Sequence, residues 1–592
     1  LISSIESYKE TSERKVTNNQ SVQVDTAMTP KPFDFSHYYT YKEITAFLQE
    51  IAVAYPQLVQ LQTIGKSYED REIWLAIVMN QATGNYQEKP GYWVDANTHA
   101  GEVTGSAVAL YLLHKLVSQS EQNPQITRLL NHHTVYILPR LAVDGAEKYL
   151  TTPYSLRSSV RPYPDPEPQE GLHEEDINGD GLILQMRMTD DCGAWKIWDQ
   201  DSRVMVRRQP EEFGGTYYTL LPEGQIINDN GYEFKVAAPL EGLDFNRNYP
   251  YLWEPEGQQK GAGDFPFSEP ETEALAQFWR HHRNINGFIT YHTYSGVILR
   301  PYATHGDDHF PVEDLEIYKQ LGEKGKALTG YDCISVFHDF RYHPKDQETG
   351  VMDDYGYDHW GWFGLTIELW DAPTAAGVEK QDYIRWLGDH PPEDDAKLLQ
   401  WNDQVLGGTG FVDWQPFDHP QLGTVEIGGW NHKVVWRNAP IQYLPELCEQ
   451  QANFAIAHGL MSPHLAISRI DLTPQGADVY HLAIQLENQG FLPTYTSQKA
   501  LERKAVKPIK VQLFLPEGIT LVSGLQDQEI AHLQGRSNKA LATVAAGMDY
   551  RCHLEWVLKG VTQEEVRVAV CSERAGTVRT KLKLNDSGSH IG

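Results

Sequence analysis

Apolar residues recur every three to four positions in Y-K-E-I-T-A-F-L-Q-E-I-A-V-A-Y (41–55), and Pro56 ends the run. That spacing predicts an amphipathic helix. The runs E-I-W-L-A-I-V-M (72–79), Y-W-V-D (92–95), T-V-Y-I-L-P (134–139), G-F-I-T-Y (287–291) and L-T-I-E-L-W (365–370) are short and almost continuously apolar, as buried strands are. A second helix is expected over S-E-P-E-T-E-A-L-A-Q-F-W (268–279), opened by a capping box of Ser268 and Glu271 with Pro270 in the first turn. Strands and helices mixed in this order predict a layered α/β domain.

The rhythm breaks twice. Residues 151–240 are rich in Pro, Asp, Gly and Arg and read as a long, loop-dominated insertion without a core of its own. From about 465, I-S-R-I-D-L, Y-H-L-A-I-Q-L, I-K-V-Q-L-F-L and R-V-A-V alternate in the short period of half-buried strands, which predicts an all-β sandwich over 463–592. Residues 1–34 are polar and Ser-, Thr- and Asn-rich, the texture of a flexible leader. The expected plan is therefore a leader, an α/β domain over 35–462 with 400–462 as a connecting region, and the sandwich.

Composition narrows this plan only a little. At 592 residues the chain needs more than one domain, and 41% hydrophobic residues can fill the cores. Fifty Lys and Arg against eighty Asp and Glu leave a net charge of −30, which argues against nucleic acid and anionic membranes as partners. The five cysteines are scattered and include no C-x-x-C pair, so free thiols are expected rather than a disulfide framework or a thiolate zinc site. No run approaches the ~18 apolar residues of a membrane span. The first 34 residues lack the apolar stretch of a secretion signal, so a cytoplasmic location is expected.

Candidate chemistry starts at D-A-N-T-H-A-G-E-V-T-G-S (95–106), where a strand gives way to a helix. His99 and Glu102 there are either two metal ligands or two polar residues of a turn. The same spacing recurs at His390 and Glu393, in G-D-H-P-P-E-D-D, which reads as a solvated loop. A catalytic zinc takes three ligands from His, Asp or Glu and leaves a fourth position to water. His292, closing the strand of F-I-T-Y-H-T-Y-S-G, is the candidate third ligand, the other reading being a packed core histidine. Glu368 interrupts an otherwise apolar strand, where a carboxylate is costly unless it has a partner or a task such as general base. Asn246 and Arg247, in G-L-D-F-N-R-N-Y-P, pair an amide with a guanidinium fork suited to a carboxylate, or else are loop structure.

H-A-G-E, D-F-N-R-N, Y-H-T-Y-S and T-I-E-L stand in the order found in zinc carboxypeptidases of the carboxypeptidase A type, and the chain resembles that family over residues 35 to about 400. I-L-P-R-L-A-V-D-G-A is similar to a further family segment, with Ala142-Val143 where Asn-Pro is usual. The resemblance implies a mixed twisted sheet flanked by helices and one zinc ion held by His99, Glu102 and His292. Asp244 would orient His99, Glu368 would act as general base and then acid, and Asn246 and Arg247 would bind the C-terminal carboxylate of a peptide or protein. It further implies an arginine for the developing oxyanion, for which Arg187 is the candidate and Arg203, Arg207 and Arg208 the alternatives. Tyr342 would close over the substrate, and Asp353 would sit where the family's side-chain pocket sets specificity. Two other readings stay open: an amidohydrolase of the same fold acting on cell-wall peptides or acylated amino acids, and a binding protein without catalysis. Separately, Asp176, Asn178, Asp180 and Gly181 match the start of a calcium loop, but Arg187 stands at position twelve where Glu is required, leaving at most weak calcium binding.

Overall fold

The threading of eight strands into one sheet is what brings the candidate residues to a common edge. In this computed structural model the described residues are 31–341, 343, 345, 347–379, 383–537 and 548–584, so most of the expected leader lies outside them. The sheet takes β1 (Val59–Lys66), β2 (Glu72–Val78), β3 (Gly91–Ala96), β4 (Thr134–Leu138), β5 (Ile285–Thr293), β6 (Val297–Arg300), β7 (Asp332–Ser335) and β8 (Phe363–Leu369). Their order is β1-β2-β4-β3-β5-β8-β6-β7. The central strands β4, β3, β5 and β8 run parallel, while β1, β2 and the β6–β7 pair join antiparallel, so the sheet is mixed. β3 and β5 are buried at every position, as strands covered on both faces must be.

Helices cover both faces. α1 (Tyr41–Ala54), α2 (Val103–Ser118), α4 (Val312–Thr329) and α6 (Leu444–Gly459) pack on one side, and α3 (Pro270–His281) and α5 (Met352–Trp360) on the other. α1 starts with a capping box in which Thr40 Oγ1 accepts from the Glu43 N–H and the Glu43 carboxylate accepts from the Thr40 N–H. α3 starts one residue later than expected: Glu269 is its N-cap and makes no side-chain cap bond, because Ser268 Oγ donates to Glu269 and Glu271 accepts from the Tyr68 N–H.

Two expectations about organisation give way. Residues 400–462 do not merely connect domains, for α6 inserts Phe454, Ala452 and Ile456 into the main core against α2 and α4. The insertion over 151–240 is rich in loops as expected, but it does have a core of its own. Its strands Gln185–Thr189, Trp195–Trp198, Asp201–Arg207 and Tyr218–Pro222 join Phe411–His419 and Gly423–Trp430 in a six-stranded antiparallel sheet. That sheet covers a small core of Leu172, Leu184, Met186, Ile226, Val425 and Ile427. The strands are short, and the edge that pairs with Gln185–Thr189 arrives more than two hundred residues later, so no local pattern announces it.

The C-terminal region is two four-stranded sheets facing each other across Leu482, Ile484, Val511, Leu554, Trp556 and Val568. All five cysteines are free. Among the described residues no helix is long and apolar enough to cross a membrane.

Candidate active site

The site forms where parallel strands end, the usual ligand edge of such sheets. β3 ends at Ala96, and the chain turns through Asn97, whose φ of 58° is left-handed. Asn97 Nδ2 ties the turn by donating to the His99 carbonyl at 2.6 Å. α2 then starts directly after Glu102. Gly105 lets that helix lie on the sheet, since a Cβ there would stand 3.0 Å from the Tyr291 carbonyl and 3.2 Å from the Ala96 Cβ. His292 and Glu368 are register partners on the adjacent strands β5 and β8.

His99, Glu102 and His292 converge, all of them buried. Asp244 Oδ1 accepts from His99 Nε2–H at 3.0 Å, which leaves a lone pair on His99 Nδ1. That atom faces Glu102 Oε1 at 2.9 Å and His292 Nδ1 at 3.0 Å, and His292 Nδ1 lies 3.0 Å from Glu102 Oε2. Glu102 Oε2 makes no hydrogen bond although it is buried. Burial by itself pushes the Glu102 carboxyl up, but the facing imidazoles outweigh it and hold the group well below the usual carboxylate range. Two imidazole nitrogens and an ionised carboxylate aimed at one point fit a divalent cation, and the donor set is that of a catalytic zinc.

The same cavity, about 230 Å³, is lined by Arg157, Asn246, Arg247, Asp353, Glu368 and Arg437. Burial, reinforced by the charge of Glu102, raises the Glu368 carboxyl to about 8. Arg157 Nε donates to Asp244 Oδ2 at 2.8 Å, and its Nη1 is 3.6 Å from Glu102 Oε1. Asn246 Oδ1 accepts from the Met352 N–H at the start of α5. Arg247 Nη2 faces Glu348 Oε2 at 3.0 Å, so a carboxylate already stands against this guanidinium. Asp353 is buried in the cavity wall, accepting from Thr366 Oγ1 at 3.3 Å, while its neighbour Asp354 takes the Ala303 N–H and the Thr304 hydroxyl.

The family model for zinc carboxypeptidases matches residues 44–388. The chain belongs to the zinc carboxypeptidase family. Mouse (Mus musculus) carboxypeptidase A6 is 23% identical over 374 residues, covering 61% of this chain and 66% of the relative. Bovine (Bos taurus) carboxypeptidase O is 23% identical over 386 residues, covering 63% and 82%. The chain thus spans just under two thirds of the first of these relatives. Among solved structures, carboxypeptidase A from Helicoverpa armigera is 19% identical and covers 57% of this chain and 65% of its own, with a TM-score of 0.37 that adds nothing to the assignment. A second family model, a domain of unknown function, matches residues 464–583.

None of the four arginines that the sequence offered lines the cavity. Arg187 lies in the six-stranded sheet, where Glu426 accepts from its Nε at 2.8 Å and the rings of Trp414 and Tyr218 flank it. Arg203 is held by Asp201 and Asp403, Arg207 stacks on Trp195, and Arg208 stacks on Tyr217. All four candidates belong to that sheet or its flanks, and none lines the cavity. Arg157, passed over in Y-S-L-R-S-S-V-R, and Arg437, beyond the matched segment, line it instead. Arg157 lies in the opening stretch of the insertion, ahead of its first strand, whereas Arg187, Arg203, Arg207 and Arg208 lie in or beside its later strands.

Tyr342 lies outside the described residues. His390 lies in the short loop ahead of the helix Pro392–Val405, and Glu393 is one of three acidic residues in the first turn of that helix. In the calcium-like turn the carboxylates serve the backbone: Asp176 accepts from the Gly179 and Gly181 N–H groups, and Asp180 from that of Leu182.

Proposed function

We propose that this protein is a zinc-dependent carboxypeptidase that hydrolyses the last peptide bond of a peptide or protein. The observation that carries the reading is that His99, Glu102, His292, Glu368, Arg157 and Arg247 share one cavity. Zinc held by His99, Glu102 and His292 would act as a Lewis acid and lower the pKa of a water. Glu368 takes the proton of the attacking water and hands it to the departing amine, a task that suits a carboxyl raised toward neutrality. Arg157, fixed by Asp244, presents its guanidinium to the oxygen that gains charge when the carbonyl is attacked. Arg247, beside the Asn246 amide, receives the terminal carboxylate by displacing Glu348. Asp353 in the wall contacts the terminal side chain.

The test compares peptides with a free carboxylate against the same peptides C-terminally amidated. Free peptides should be cleaved at least about a hundredfold better, because a neutral amide cannot replace Glu348 as the ionic partner of Arg247. A chelator should abolish cleavage and zinc restore it. Equal cleavage of amidated peptides would sink the reading in favour of the amidohydrolase alternative.

A further inference from the structure

A second cavity, of about 510 Å³, adjoins the first. The two share Tyr294 and Arg437, but the second contains none of Asn246, Arg247, Glu348 or Asp353. Its walls come from outside the core of the family fold: Leu184 and Leu221 of the insertion on one side, His432, Lys433 and Trp436 on the other. The segment 431–438 is fastened to the zinc-ligand turn by Asn438, which is buried. Asn438 donates to the Gly101 carbonyl at 2.8 Å and accepts from the Thr104 N–H and hydroxyl, each at 3.0 Å. This lacing places Arg437 at the junction, with Nη1 3.5 Å from Glu102 Oε1 and its guanidinium 5.5 Å from the Tyr294 ring centre.

The charge of the second cavity runs against that of the molecule. In a chain of net charge −30, its lining holds Arg437 and Lys433 against the single carboxylate of Glu174. Lys433 Nζ is spent on the Tyr149 and Thr152 carbonyls, at 2.8 and 2.7 Å, so Arg437 is the cation left facing the junction. If the terminal residue lies at Arg247, the rest of the chain must leave by the opposite end, and that end leads into this cavity.

We infer that the second cavity receives the substrate upstream of the cleaved bond, and that Arg437 selects a carboxylate on the residue preceding that bond. The inference rests on the carboxypeptidase reading. Arg437 is a specificity residue supplied by a segment that the family match does not reach.

The experiment uses the zinc-loaded full chain and three peptides with a common terminal residue and Glu, Gln or Lys just before the cleaved bond. Wild type should prefer Glu over Gln about two- to fivefold in kcat/KM, the size of a half-exposed charge pair, with Lys the poorest. Arg437→Ala should erase the Glu preference through KM, with kcat within about threefold, and Arg437→Lys should restore part of it. Zinc content, measured by metal analysis, should be equal in all three proteins. A Glu-to-Gln ratio that is flat in wild type, or unchanged in Arg437→Ala, overturns the inference while the carboxypeptidase reading stands. Loss of zinc from Arg437→Ala overturns it too, since Arg437 would then serve Glu102 and not the substrate. If wild type cleaves none of the peptides, both readings fall.

Discussion

At the scale of single residues, the same side-chain types serve stability or chemistry according to what faces them. Glu368 sits in a strand and is raised to about 8 by burial and by Glu102. Glu368→Gln keeps the shape and removes the base, so kcat should fall by about a thousandfold, within the usual range for a general base. One zinc per chain should remain, and a Gln variant with wild-type kcat would remove Glu368 from the mechanism. Arg157 and Arg187 make a contrasting pair. Arg157→Ala should cost about a hundred- to a thousandfold in kcat/KM, the usual loss for an oxyanion donor. Arg187→Ala should leave kcat/KM within about threefold and lower stability by about 1–3 kcal/mol, because its partner Glu426 is partly exposed and screened. Denaturant midpoints and steady-state kinetics on both variants separate the two roles, and the reversed pattern would restore Arg187 as the catalytic arginine.

At the scale of elements, periodicity found β2, β3, β4, β5 and β8 because each is a short apolar run that is mostly buried, and it missed the half-exposed β1 and β7 and the four-residue β6. It also found α1, though not its Thr40–Glu43 cap. The six-stranded sheet stayed hidden for the opposite reason, since strands half exposed and broken by Pro and Gly carry little apolar signal. α6 falls in the stretch read only as a connecting region, and nothing local says that it packs on α2 and α4. Phe454 in α6 is fully buried and lies so close to α4 that a Cβ on Gly325 would meet its ring at 2.9 Å. Phe454→Ala should therefore cost about 3–5 kcal/mol in chemical unfolding. A loss below about 1 kcal/mol would show that α6 is peripheral after all.

At the scale of the whole molecule, the C-terminal region grips the α/β layer at the end of α5. Ser497 Oγ donates to the Gly361 carbonyl at 2.6 Å, Arg503 Nε to the Asp358 carbonyl at 3.1 Å, and the Arg503 guanidinium also pairs with the Asp358 carboxylate. Gly361 has a φ of 67°, and a Cβ there would press on Ala500 at 2.5 Å, so the contact is close as well as polar. The other end of α5 carries Asp353 into the cavity and is capped by Asn246. A chain ending at residue 462 should consequently melt several degrees lower than the full chain and cleave peptides less well, with KM rising. Thermal melts and kinetics on the two chains check this, and identical values would mean that the sandwich is only appended.

The sequence by itself pointed to the family and to His99, Glu102, His292, Glu368, Asn246 and Arg247 as residues of one site, because these occupy strand ends and turns with a recognisable local pattern. It also determined that strands and helices alternate first and that short strands follow. Tertiary structure alone decided that Arg157 and Arg437 line the cavity, that Glu348 stands against Arg247, and that residues of the segment 431–438 wall a second cavity. Those facts depend on contacts between segments one hundred to more than three hundred residues apart, and such contacts leave no periodic trace along a single chain.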